Sequence, residues 1–132
     1  MKEGLLEEEF TYRIIGILFK VHNALGHLHQ EKHYQRAIAC ELKSEGIRFE
    51  QEKQVEILFN GEKIGYYQLD FLLENKLVLE TKTINVMMKK YHHQILSYMN
   101  QLQIKLGLLV NFRLPKLQVK RLYLPDRYEK SV

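Results

Sequence analysis

The stretch Gln68-Leu69-Asp70-Phe71-Leu72-Leu73-Glu74-Asn75-Lys76-Leu77-Val78-Leu79-Glu80-Thr81-Lys82 decides how the chain is read. Two apolar runs flank Glu74-Asn75-Lys76, a triplet suited to a tight turn. A three-residue loop there sets Leu73 opposite Leu77. Counting outward pairs Leu72 with Val78, Asp70 with Glu80 and Gln68 with Lys82. Side chains alternate between faces along a strand. One face is therefore expected to carry Leu69, Phe71, Leu73, Leu77 and Leu79, and the other Gln68, Asp70, Glu80 and Lys82. The apolar flanks mark interior strands rather than an exposed hairpin.

Opposed carboxylates on a hairpin repel each other, with Cβ atoms roughly 4.5–5.5 Å apart. At that separation both acids can share one divalent cation, which cancels the repulsion. Mg2+ is commonly held by one or two carboxylates together with water and substrate phosphate. Lys82 points to the same side as Glu80. It can pair with the acids, hold a phosphate oxygen, or orient or deprotonate a water. The D-x(9)-E-x-K spacing equally describes a solvated salt-bridge cluster, so the surrounding sequence has to choose between the two.

Upstream, Phe10, Ile14, Ile17, Leu18, Val21 and Leu25 recur at three- and four-residue steps, which predicts an amphipathic helix from about Leu6 to Leu25. Gly26 ends it. Tyr34, Ile38 and Leu42 form the stripe of a second helix from about Gln30 to Glu45, closed by Gly46. Ile47 to Phe59 reads as a strand, rich in Val, Ile and Phe. Asn60-Gly61 is a hairpin turn, and Glu62 to Leu73 returns from it with a kink expected at Gly65. Leu77 to Thr83 is the third strand. Downstream, Met88, Tyr91, Ile95, Tyr98 and Leu102 predict a helix from about Val86 to Gln103. Gly107 to Phe112 reads as an interior strand, and Val119 to Leu124 as the last one. The order α-α-β-β-β-α-β-β predicts an α/β (α+β) fold, a mixed central sheet flanked by helices. With no repeats or Pro/Gly-rich linkers, residues 1–132 read as a single domain.

Lys and Arg number 20 against 16 acidic residues, a net charge of +4. That excess suits a polyanionic partner such as nucleic acid, and equally a solubility charge. No apolar run is long enough for a membrane span. The acidic start, MKEGLLEEEF, is unlike a signal peptide. The single cysteine, Cys40, cannot form an internal disulfide, and a reducing, cytoplasmic setting follows as the expectation.

Several further segments lie in a telling order. Val21-His22-Asn23-Ala24-Leu25-Gly26 fits V-H-x-x-L-G. Glu31 and Tyr34 share a face of the second helix. Leu69-Asp70 and Glu80-Thr81-Lys82 fit R-L-D and E-L-K, with Gln68 at the basic position. Gln94-Ile95-Leu96-Ser97-Tyr98 fits Q-L-L-x-Y, and Gly107-Leu108-Leu109-Val110-Asn111-Phe112 is close to G-L-L-I-N-F. Over most of its length the chain thus resembles the GxxExxY proteins, a branch of the PD-(D/E)XK nuclease superfamily. Two positions depart from the pattern: Gly26-His27-Leu28 stands for G-P-G, and Tyr91 for a frequent His.

The resemblance implies a restriction-endonuclease-like core and a metal-dependent nuclease acting on DNA in preference to RNA. By it, Asp70 and Glu80 would bind Mg2+ or Mn2+, with the Thr81 carbonyl as a third ligand and Glu31, reaching in from the second helix, as an extra metal ligand or a water-binding acid. Lys82 would position or activate the attacking water. Gln94 would fix Lys82 or the phosphate, Gln68 would lie toward the substrate, and Tyr98 would pack or hydrogen-bond near the site on the substrate side. Such a small nuclease can choose its target through a homodimer or a partner. The alternative is a catalytically inactive module that keeps the fold and binds nucleic acid or a protein.

Other polar residues carry less. His27, His29, His33 and Cys40 fall short of a convincing structural zinc site. Cys40 reads as a small core residue rather than a nucleophile. His92 and His93 read as a partly exposed helix face, or as phosphate contacts. Lys89, Lys90, Lys116, Lys120, Arg121 and Arg127 could contact phosphate or simply be solvated.

Overall fold

Glu74 and Asn75 both adopt positive φ, 50° and 54°, and the Lys76 N–H donates to the Leu73 carbonyl at 2.9 Å. This turn joins β2 (Glu62–Leu73) to β3 (Leu77–Lys82) in the expected register, with Leu73 opposite Leu77 and Leu72 opposite Val78. A computed structural model describes residues 2–125, with side chains from residue 7 onward. The side chain of Leu6 and all of Arg127 lie outside the described residues. The other elements are α1 (Lys2–Leu25), α2 (Glu31–Ser44), β1 (Phe49–Phe59), α3 (Lys89–Leu102), β4 (Leu106–Asn111) and β5 (Gln118–Tyr123).

The five strands form one sheet in the order β1-β2-β3-β4-β5, antiparallel except for the parallel pair β3–β4. A parallel pair requires a crossover, and α3 supplies it. The sheet is mixed, with three helices in the order α-α-β-β-β-α-β-β, consistent with a restriction-endonuclease-like α/β fold. One side packs Phe71, Leu73, Leu77 and Leu79 against Ile14, Leu18, Tyr34, Ile38 and Leu42 of α1 and α2. The other packs Leu72, Val78 and Leu109 against Ile95, Tyr98 and Met99 of α3. Covered on both sides, β3 is buried from Leu77 to Thr81, which is why its sequence is a nearly unbroken apolar run.

Three expectations are corrected. Leu69 packs in the α3-side cluster, not with Phe71 and Leu73. The β1–β2 ladder skips the Glu52/Asp70 position, where Glu52 has φ 55°, and this irregularity breaks the simple alternation of faces. The third helix begins at Lys89 rather than Val86. The side chain of Asn111 takes both backbone groups of Ile84, accepting its N–H at 3.0 Å and donating to its carbonyl at 2.8 Å, which ties the segment after β3 to β4 in a non-helical path that bends at Asn85 and Val86. Cys40 is exposed, because the buried stripe of α2 runs through Tyr34, Ile38, Ala39 and Leu42. The kink expected at Gly65 is present, as a register shift that leaves Ile64 without a partner in the ladder.

The segment between α1 and α2 lacks Gly-Pro-Gly and is tied down otherwise. The Tyr34 hydroxyl donates to the Gly26 carbonyl at 2.7 Å and accepts the His29 N–H at 3.2 Å. Its ring stacks on Phe112 at 4.4 Å. The Arg113 guanidinium donates to the carbonyls of His27 and His29 at 2.8 and 2.9 Å. Leu28 is 79% exposed, so the turn is held by its backbone and not by the residue at that position.

Candidate active site

The β2–β3 backbone ladder stops at Phe71/Leu79, and the next two residues fill the gap with their side chains. Glu80 Oε1 accepts the Asp70 N–H at 2.8 Å. Asp70 Oδ2 accepts the Thr81 N–H at 2.8 Å and the Thr81 hydroxyl at 3.0 Å. Asp70 and Glu80 are thus brought together, as the hairpin count predicts, but through side chain to backbone bonds. One oxygen of each carboxylate, Asp70 Oδ1 and Glu80 Oε2, lies outside these three bonds.

Burial dominates the electrostatics. Glu80 is 4% exposed, and desolvation with the neighbouring Asp70 charge pushes its carboxyl up to about 8. Asp70 is also raised by burial, against the opposing pull of its Thr81 bonds, of Lys82 and of a side-chain hydrogen bond with Glu80. Glu31 is raised by desolvation and then by Asp70, while Lys82 lowers it. The Glu31 charge in turn raises Glu80. These four residues therefore share one field, with three acids against one ammonium. The Tyr98 hydroxyl is pushed far up by burial and by the Glu80 and Asp70 charges.

Lys82 stands at the exit of this cluster. Its Nζ lies 4.8 Å from the centroid of the Tyr91 ring, a cation–π contact. Among the described residues it makes no ion pair within 4.0 Å, which sets aside the solvated salt-bridge reading. Lys82 opens onto a cavity of about 520 Å3 shared with Tyr67, Lys90, Tyr91, His93, Gln94 and Ser97. Gln94 is exposed there. Tyr98 is buried at 3% exposure with its ring 4.7 Å from Tyr67, so it packs beneath the groove. Gln68 is exposed and paired with Gln54; Tyr67 lines the groove in its place, a result of the irregularity at Asp70.

Hard oxygen donors fit a dication such as Mg2+, which needs few protein ligands. Asp70 and Glu80 supply two. The carbonyl of Lys82 accepts the Phe112 N–H on the β4 side. Neighbouring residues of a strand address opposite sides, so the Thr81 carbonyl faces the β2 side, as its N–H does. Among the described residues, no three His, Cys, Asp or Glu side chains are grouped to hold a metal. Glu31 thus shares the field of the pair without joining it in a three-carboxylate cage.

Reading the sequence alone missed Gln35, Tyr67 and Asn111. Gln35 Nε2 donates to the Thr81 hydroxyl at 2.9 Å, and Asn111 is fully buried. A polar Asn within the apolar run Gly107 to Phe112 was a usable signal; Gln35 and Tyr67 offered none.

A family model described as the PD-(D/E)XK nuclease superfamily matches residues 8–122. No curated protein matches the chain. The match takes in α1 from residue 8 onward, all of α2 and α3 and four of the five strands in full, including every residue of the carboxylate cluster, and the chain belongs to the PD-(D/E)XK nuclease superfamily.

Proposed function

We propose that this chain is a metal-dependent nuclease of the GxxExxY branch that hydrolyses phosphodiester bonds, with DNA as the favoured substrate. Superfamily members are usually hydrolytic nucleases that use divalent metals such as Mg2+. The observation that carries the reading is the Asp70–Glu80 pair, Glu80 buried and Asp70 half-buried, whose charges only Lys82 opposes within the cluster. Two ionised acids in a desolvated site repel strongly, and a dication would relieve that repulsion while using their remaining oxygens.

In this reading Asp70, Glu80 and the Thr81 carbonyl hold Mg2+ or Mn2+. When bound, the ion polarises the phosphoryl oxygen and lowers the pKa of a water. Lys82 positions that water, or holds a non-bridging oxygen while charge builds in the transition state. Gln94 and Lys90 line the cavity on the substrate side, and Glu31 adds a further acid beside the pair. The 132 residues act as a single domain in a reducing, cytoplasmic setting, where the exposed Cys40 persists as a thiol. A homodimer or a partner would supply target choice.

The test is incubation of purified protein with single- and double-stranded DNA, and with RNA, in Mg2+ or Mn2+. Cleavage above Glu80→Ala and Lys82→Ala controls is expected, and equal rates would overturn the reading. A second reading, a non-cutting binding module, is favoured by the Asp70 and Glu80 oxygens already engaged with backbone N–H groups. It predicts binding to nucleic acid or a protein that is indifferent to EDTA and to Asp70→Asn.

A further inference from the structure

Gln35, Thr81 and Asp70 form a chain of hydrogen bonds whose direction is fixed. An amide nitrogen only donates, a hydroxyl has one proton, and an ionised carboxylate only accepts. Gln35 Nε2 donates to Thr81 Oγ1 at 2.9 Å, and that hydroxyl spends its one proton on Asp70 Oδ2 at 3.0 Å. Thr81 is 1% exposed, so bulk water does not compete for these bonds. Together with the Thr81 N–H at 2.8 Å, the hydroxyl fixes one Asp70 oxygen, and the carboxyl as a whole stays against that of Glu80. Gln35 lies four residues after Glu31, hence one turn along the same face of α2. The bond that orients Asp70 therefore also sets the register of α2 against β3, and with it the approach of Glu31 to the acids.

We propose that the Thr81 hydroxyl and the Gln35 carboxamide are positioning residues: they hold Asp70 in the single orientation a divalent cation needs and dock Glu31 beside it. The proposal rests on the metal-dependent nuclease reading. It assigns the middle residue of Glu80-Thr81-Lys82 a side-chain role distinct from that of its carbonyl. Groups that orient metal ligands typically change metal affinity 10–100-fold when removed.

The experiment is calorimetric titration of Mn2+ into the full chain and its variants, with a thermal melt of each metal-free protein alongside. T81V is expected to weaken Mn2+ binding ~10-fold, while its metal-free melting temperature stays near that of the parent. T81S, which restores the hydroxyl, should return affinity to within about twofold. Q35L should weaken binding and add nothing in the T81V background, because the two bonds form one chain. Unchanged Mn2+ affinity in both T81V and Q35L, with binding still abolished by D70N, would overturn the proposal. Failure of T81S to recover affinity would do the same, since the hydroxyl would then not be what holds Asp70. If the parent protein binds no Mn2+, or binds it equally with D70N, the metal-site reading itself falls and takes this proposal with it. Should T81V melt too low to titrate, T81S and Q35L decide the matter between them.

Discussion

Glu80 takes the main-chain N–H of Asp70 at 2.8 Å, and Asp70 returns the bond to the residue after Glu80, taking the Thr81 N–H at 2.8 Å. The two acids thus replace the rung of sheet that their own strands leave out. Backbone donors favour the charged carboxylates, yet burial outweighs them at both residues. The site is held in place by bonds that do not satisfy its charge.

This has a pH signature. The Glu80 carboxyl rises from an unfolded value near 4.5 to about 8 in the fold. Its favourable contribution is fully present below about pH 4.5 and is lost as pH rises through 8. Glu80→Gln keeps an oxygen for the Asp70 N–H and removes the charge. Without metal, the variant should melt several degrees above the parent at pH 8–9, with the gap closing at pH 5. A gap that does not change with pH would contradict the assignment.

Metal should act in the opposite sense. A ligand that binds only the native state at about 100 times its Kd stabilises by ~2.7 kcal/mol. Saturating Mn2+ should therefore raise the melting temperature by several degrees at pH 8. The rise should shrink at pH 6, where a proton must leave Glu80, and vanish in Asp70→Asn. A rise that survives that substitution would place the ion elsewhere.

Lys82 and the acids can be separated by kinetics. Removing the ammonium takes away a group for the water or phosphate, not a metal ligand. Lys82→Ala should lower cleavage by ~10²–10³-fold while Mn2+ affinity holds or improves. Tyr91→Phe retains the ring face and should stay near parental activity, whereas Tyr91→Leu should not. Equal losses in the two would remove the cation–π contact from the account.

Asn111 offers a test remote from the chemistry. Asn111→Leu leaves the N–H and carbonyl of Ile84 without the partners they now have, at ~1–3 kcal/mol for an unsatisfied group. Chemical denaturation should show a loss of that order, and hydrogen exchange should quicken at Ile84. Protection at Ile84 equal to the parent's would argue against the pairing.

The Glu74-Asn75-Lys76 turn was legible because two apolar runs of strand length flank a triplet of turn-formers, and the register of Leu73 with Leu77 follows by counting. The order of elements was legible because each period, near 3.6 or 2, is carried by many residues at once. The exit from β3 was not: Val86 and Met88 continue a helical spacing, but Asn111, 27 residues after Ile84, ties that segment to β4, and it bends at Asn85 and Val86 without entering the helix. The face of Leu69 was hidden for a related reason. Alternation assumes an uninterrupted ladder, and the break lies on the neighbouring strand, at Glu52. Gly107 is a middle case. A Cβ there would come within 2.6 Å of Met99 Sδ, a closeness its place in an apolar run did not announce.

The irregularity at Glu52 has a second effect, on how copies of the molecule meet. As an outer strand of the sheet, β1 presents open backbone groups of the kind that recruit foreign strands into aggregates. Glu50, Glu52, Lys53 and Glu56 crowd that strand with charge, and the positive φ of Glu52 interrupts its extended line. The distortion that brings Tyr67 to the groove thus also keeps the sheet's margin from serving as a template for growth.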